Sequence, residues 1–317
     1  MNTHIPNHAQ TRPTKKQAEA YARFQIRNNQ TCMIDRYATA PLKWSKTFLD
    51  GKHGAVYLYL QDVSPGMLDG DHYRVQIELE PGCDVSIRTT TYGKIHPCPH
   101  HGIQLDQTIR LREARLSYCP EPMIPYTDAR LRSTTMIDLD LKSQLFWTES
   151  WAPGRVHKGE SFDYAEVSSE LTILRDGNYL VWDPFSFRPN IHSSKEKGAW
   201  ETFSHCGSIW IIDPQAANDF WQHLMEQVRI WGGTADGEWP DEKMAIANSS
   251  PNHGSDSSDF ALRMAISRID GPGVSIRILS NQAERIQQTI HRVWEFTRKY
   301  AWNQQTPPWQ APGEHFI

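Results

Sequence analysis

Tyr73-Arg74-Val75-Gln76-Ile77-Glu78-Leu79-Glu80 decides the fold of this chain. Apolar residues stand at 73, 75, 77 and 79 with polar ones between them. A period of two puts alternate side chains on opposite faces of a strand, one face dry and one wet. Pro81-Gly82-Cys83-Asp84 then turns the chain, and Val85-Ser86-Ile87-Arg88-Thr89-Thr90-Thr91 follows as a β-branched strand.

The same texture extends outward in both directions. Upstream lies Val56–Leu60. Downstream come 107–111, 114–118, 130–141, 144–150, 162–174 and 178–183, with Asp176-Gly177 as a tight hairpin signal. Up to Phe187 no stretch keeps a helical period. Strands spaced by roughly 10–12 residues without helices between them predict an all-β sandwich, barrel or stacked β-layer body and argue against βαβ winding. Cys206–Ile212 reads as one more strand, and 260–268 with 274–279 as a final pair around Asp270-Gly271-Pro272-Gly273.

Two helices are predicted late in the chain. Asp213-Pro214 reads as a cap followed by proline at the first helical position, opening a helix over 214–231 that stops at Gly232-Gly233. Asn281, with Glu284 three residues on, reads as the cap of a second helix over 282–301. Residues 1–30 hold five basic residues against one acid and read as a flexible arm, with a helix forming near Gln17–Ile26. Residues 232–258 read as a mobile acidic loop, and 303–317 as an irregular tail. The body between, 31–302, is expected to form one β-rich domain.

Composition narrows the function. The chain has 317 residues, a formal charge of −4 and a sequence pI near 6.4. Neither nucleic acid nor an acidic membrane surface is an expected partner on those grounds. Five cysteines, an odd number, occur without a CxxC and fit a reducing compartment. Met1–Pro6 carries no apolar run, and no later run approaches the length of a membrane helix, so a cytoplasmic location is expected. There is no GxxxxGK[ST], HExxH or GxSxG, so no enzyme class gains support.

Two groups of residues have ligand chemistry. His96-Pro97-Cys98-Pro99-His100-His101 is dense in imidazole and thiol, which suit nickel or zinc. It reads either as a polar turn with a free Cys98 or as a transient, partner-shared metal contact. Asp71, Glu149, Glu160 and Asp183 stand near strand ends or turns. They read either as solvated or turn-satisfying carboxylates, or as spaced groups in a wet passage that would hold a divalent ion weakly and pass it on.

Several motifs in fixed order carry a resemblance. Pro41-Leu42-Lys43-Trp44-Ser45-Lys46-Thr47-Phe48 is followed by Pro65-Gly66-Met67-Leu68-Asp69-Gly70-Asp71, in which Asp69 replaces a usual glycine. Next come Thr89–Thr91 with Lys94-Ile95-His96, then Pro120-Glu121-Pro122-Met123-Ile124-Pro125-Tyr126, and then Gly154, Arg155, Gly159, Glu160 and Phe162. Over residues 36–188 the chain resembles the urease accessory family UreD, called UreH in some bacteria, and more weakly over 205–302. Residues 92–101 depart from the family pattern.

The resemblance implies a stacked, β-helix-like body with two C-terminal helices. It implies a non-enzymatic chaperone that binds apo-urease and UreF, through which UreG is recruited. It implies that no cofactor is tightly bound and that nickel passes in transit. Asp71, Glu149 and Asp183 fall on the family's nickel route, while Gly70, Arg155 and Glu160 shape turns. The UreF contact lies near the C-terminal helices, which makes Trp221, Trp231 and Trp294 candidate anchors, each equally readable as core. A scaffold that holds apo-urease open without touching metal is the alternative.

Overall fold

The computed structural model describes residues 17–50, 54–196, 199–232 and 262–303. The expected acidic loop and tail lie almost wholly outside them. Among the described residues eighteen strands form two sheets. In chain order they are β1 (Gln17–Arg27), β2 (Gln30–Ala38), β3 (Leu42–Trp44), β4 (Phe48–Asp50), β5 (Ala55–Asp62), β6 (His72–Leu79), β7 (Asp84–Thr89), β8 (Gly93–Ile95), β9 (Ile103–Leu111), β10 (Arg115–Cys119), β11 (Met123–Pro125), β12 (Arg130–Leu139), β13 (Gln144–Trp151), β14 (Glu166–Arg175), β15 (Asn178–Phe187), β16 (His205–Ile212), β17 (Leu262–Arg268) and β18 (Gly273–Ser280). Helices α1 (Asn218–Gly232) and α2 (Ala283–Tyr300) follow β16 and β18.

Between β5 and β14 the chain crosses from one sheet to the other at all but two of its connections. One sheet has seven strands in the order β15-β14-β12-β9-β6-β1-β2, and the main path of the other runs β17-β18-β16-β13-β10-β7-β5-β3. Strands β6, β9, β12 and β14 are parallel neighbours, as are β5, β7, β10 and β13. Parallel pairing without helices is possible because each return leg is itself a strand in the opposite sheet. This is a stacked, β-helix-like winding, mainly β with two late helices, as the strand spacing and the resemblance led one to expect.

In-register stacking places like on like. Ala22, Ile77, Ile109, Ile137 and Ile173 form one continuous row across five strands. Each is fully buried, and each isoleucine contributes about 1.5–3 kcal/mol of burial. The facing row of the other sheet is Val56, Val85, Leu116, Leu145 and Ile212. A second core lies on the far side of that sheet, where α1 and α2 cover Phe146, Ile209, Ile211, Val274, Ile276 and Ile278. Covered on both faces, β13 is buried almost throughout.

Three expectations give way. Gln17–Arg27, expected within a loose arm and partly helical, is a strand with β6 on one side and β2 on the other; Ala18, Ala20, Ala22 and Phe24 point inward. Helix α1 begins at Asn218 rather than at Pro214, because Asp213 Oδ1 accepts the N–H groups of Gln215 and Ala216 in a turn of its own. The cap of α2 is Gln282 in extended conformation, without a side-chain capping bond, rather than Asn281.

Candidate functional site

The aliphatic rows do not continue through the whole body. Two residues along the same strands, the seven-stranded sheet carries the row Val75, Gln107, Thr135, Leu171 and Asp183. Two further on it carries Tyr73, Leu105, Ser133, Ser169 and Phe185. Small polar residues replace isoleucine, and space opens between the sheets. The result is a cavity of about 120 Å³. Asp62, Glu121 and Glu149 line it, with Tyr73, Gln107, Tyr118, Ser133 and Ser169 among its other polar groups. Tyr118 donates to Gln107 Oε1 at 3.1 Å, and Gln107 Nε2 donates to Thr135 Oγ1 at 3.1 Å, so one wall is a satisfied hydrogen-bond chain. Tyr118 also stacks on Trp147 at 4.3 Å.

Glu149 on β13 projects into this space. Trp147 Nε1 donates to its Oε1 at 3.4 Å, and Ser169 Oγ donates to its Oε2 at 3.2 Å. Withdrawal from water pushes its pKa up. Those two donors and Arg277 oppose the rise, while Asp183 adds to it. Asp183, on the edge strand β15, accepts from Arg277 Nη2 at 2.6 Å. Glu149 and Asp183 are thus neighbours on opposite sheets. Asp71 is not with them. Its Oδ2 accepts the Leu68 N–H at 2.8 Å and closes the turn before β6, so it serves as a turn acceptor.

The Cys/His run is split. Cys98 is buried, and its thiol donates to the carbonyls of His96 at 3.2 Å and Arg130 at 3.5 Å. Burial pushes its pKa up, and the Arg130 contact opposes the rise only in part. The thiol therefore faces the core, away from any ligand set with the imidazoles. The His96 ring packs edge-on to Tyr126 at 4.9 Å. His100 and His101 are exposed, with ring centroids 6.0 Å apart. Among the described residues no three His, Cys, Asp or Glu side chains converge to hold a metal ion.

The turn motifs have clear roles. Gly70, at φ +85°, donates its N–H to Gly102 O at 3.0 Å. Arg155 Nε donates to Glu160 Oε2 at 2.8 Å, a second bond joins Nη2 to Oε1, and the guanidinium carbon lies 4.1 Å from the Tyr126 ring centroid. Arg155 in turn holds the Glu160 carboxyl below its usual range.

The tryptophans divide. Trp221 and Trp294 are core, 3% and 1% exposed, and Trp294 Nε1 donates to Ser117 Oγ at 3.1 Å. Trp231 is half-buried at the end of α1, edge-on to Phe296.

Sequence reasoning missed Asp62 and Glu121. Asp62 accepts from Ser64 N at 2.9 Å and from Tyr73 OH at 3.3 Å. Glu121 has its pKa pushed up by burial against the pull of Arg88. Glu121 sits inside the Pro120–Tyr126 motif, which was a signal; Asp62, at the end of a strand, had none.

The described residues thus form a body of stacked strands around a small, largely apolar cavity to which Asp62, Glu121 and Glu149 bring carboxylates. The family model of the UreD urease accessory protein matches residues 16–311. Among curated relatives named urease accessory protein UreD, that of Sporosarcina pasteurii is 26% identical over 282 residues, covering 87% of this chain and 98% of the relative. That of Acetivibrio thermocellus is 30% identical over 205 residues, covering 64% and 78%. That of Lysinibacillus sphaericus is 31% identical over 198 residues, covering 62% and 74%. The chain belongs to the UreD family of urease accessory proteins. No helix among the described residues is long and apolar enough to cross a membrane.

Proposed function

We propose that this chain is a non-catalytic chaperone of urease maturation, and that the space between its sheets is a passage through which nickel reaches the apo-enzyme. It acts in the cytoplasm, in a complex with UreF and UreG on apo-urease. Nickel is cargo, and no cofactor is resident. The observation that carries the reading is the cavity itself, to which Asp62, Glu121 and Glu149 contribute carboxylates from separate segments. Oxygen donors spread along a cavity give each position an incomplete ligand set, and an incomplete set binds a divalent ion weakly enough to release it. Asp183 extends the series behind Glu149. Asp71, engaged in its turn, shapes the wall of the passage. Of the Cys/His run, His100 and His101 remain surface groups able to meet an incoming ion, and Cys98 does not.

The test is nickel content. A strain carrying Glu149→Gln is expected to assemble the accessory complex on urease, by size-exclusion chromatography, while the purified urease holds several-fold less nickel by elemental analysis. Full nickel loading with Glu149→Gln would overturn the passage and leave the protein as a scaffold that holds apo-urease in an activation-competent conformation.

A further inference from the structure

Arg277 does not line the cavity, but it stands close to Glu149, which does. It follows Glu149 and Ser208 in one lateral row of the larger sheet, on β13, β16 and β18. Its Nη2 reaches Asp183 Oδ2 across the gap to the other sheet at 2.6 Å, and its Nη1 donates to Ser208 Oγ at 2.5 Å. Its guanidinium carbon stands 5.1 Å from the Trp210 ring centroid, a cation–π placement. One side chain thus joins β18 to β15 beside Glu149, whose own donors, Trp147 Nε1 and Ser169 Oγ, are neutral.

We propose that Arg277 is a built-in counter-cation for the Glu149–Asp183 pair, and that a divalent cation passing Glu149 exchanges places with its guanidinium. The inference rests on the passage reading above and adds a residue to it. Two neighbouring carboxylates with no positive partner would attract a doubly charged ion strongly in a recessed site. Such a pair would be a sink rather than a step. With the guanidinium already on Asp183, an arriving ion gains only the difference between its own attraction and that of the arginine. As the ion leaves, the guanidinium returns and displaces it. The Arg277 side chain is 46% exposed, and its long stem leaves it room to swing aside. Ser208 Oγ and the Trp210 ring hold it close while it is displaced. A monovalent ion carries no more charge than the guanidinium and lacks its paired donors, so the exchange favours divalent ions.

The test uses nickel chloride and the purified full-length chain, with affinity read by competition against a chromophoric nickel chelator. Arg277→Gln is expected to bind nickel about tenfold more tightly than the unaltered chain, the scale on which one adjacent charge changes a carboxylate's affinity for a cation. The Arg277→Gln/Asp183→Asn double variant should return to the original weak binding. Unchanged affinity in Arg277→Gln overturns the proposal, as does tight binding that persists in the double variant. Should Arg277→Gln lose its cooperative melting transition, Arg277→Met, which keeps an unbranched stem over Trp210, takes its place with the same two outcomes. Failure of the passage reading is separate: it shows as full urease loading in the Glu149→Gln strain. Reduced loading there, with unchanged affinity in Arg277→Gln, removes only the arginine's role.

Discussion

Asp69 Oδ1 accepts the backbone N–H of Gly102 at 2.8 Å. The same carboxylate takes the N–H groups of His101 at 2.8 Å and His100 at 3.0 Å. Asp69 lies in the Pro65–Asp71 motif, and the three amides it accepts open onto the Cys/His run, so the aspartate caps the histidine turn lying against it.

Replacement of Asp69 by alanine should loosen this turn. Three backbone donors lose their acceptor together, and a loss of about 1–3 kcal/mol is expected in urea unfolding at neutral pH. Burial raises the carboxyl's pKa, but the three amide donors outweigh it and hold the pKa below the usual value. A depressed folded pKa contributes stability above the unfolded value of about 3.9 and loses it as pH falls through the folded value. The difference between Asp69→Asn and the unaltered protein should therefore shrink below about pH 4. A constant difference across that range would show that the ionised form is not what holds the turn.

Glu149 runs the opposite way. Its pKa is raised, chiefly by burial, so the folded state binds the proton more tightly than the unfolded one. Its contribution is fully present below the unfolded pKa of about 4.3 and is lost as pH rises through the folded value. Glu149→Gln should therefore melt at or above the temperature of the unaltered protein at pH 8, with the advantage vanishing near pH 4, as followed by circular dichroism. A variant that melts lower at pH 8 would mean that the charged carboxylate supports the fold.

Arg298 on α2 and Asp50 on β4 form an almost fully buried ion pair, N to O at 2.7 Å, with side chains 4% and 2% exposed. Arg298→Met leaves Asp50 buried beside a neutral side chain and should cost about 3–5 kcal/mol in denaturant unfolding. Adding Asp50→Asn should recover part of that loss. Strictly additive losses would show that the two residues act independently.

Trp294→Ala should cost about 3–5 kcal/mol in the same measurement, because it empties a core site between Arg88 and Arg298 and orphans Ser117 Oγ. Trp231→Ala, at a half-buried site, should cost clearly less. Equal losses would put Trp231 in the core as well and remove it as a docking anchor.

Much of the body was legible in order and period. Tyr73–Glu80 alternates without exception, and β6 follows it almost to the residue. Gln17–Arg27 alternates too, but its inward residues are mostly alanines, the strongest helix formers, set among charged residues. Its pairing with β6 and β2 overrides that local preference. Glu149 and Asp183 could be singled out as carboxylates of a strand body. The cavity beside Glu149 could not, because it depends on Ser133 and Ser169 falling into one row, two residues further along the strands than the row that ends at Asp183.

Sequence alone determined that this chain is a β-stacked member of its family, with Arg155 and Glu160 at a turn and helices late in the chain. Side-chain period and motif order are properties of neighbouring residues, and they survive without a fold. Tertiary structure alone decided which polar residues share a cavity, that Cys98 turns inward while His100 and His101 face out, and that Arg277 meets Asp183. Those relations join strands far apart in the chain, and their partners are set by the register in which the two sheets stack.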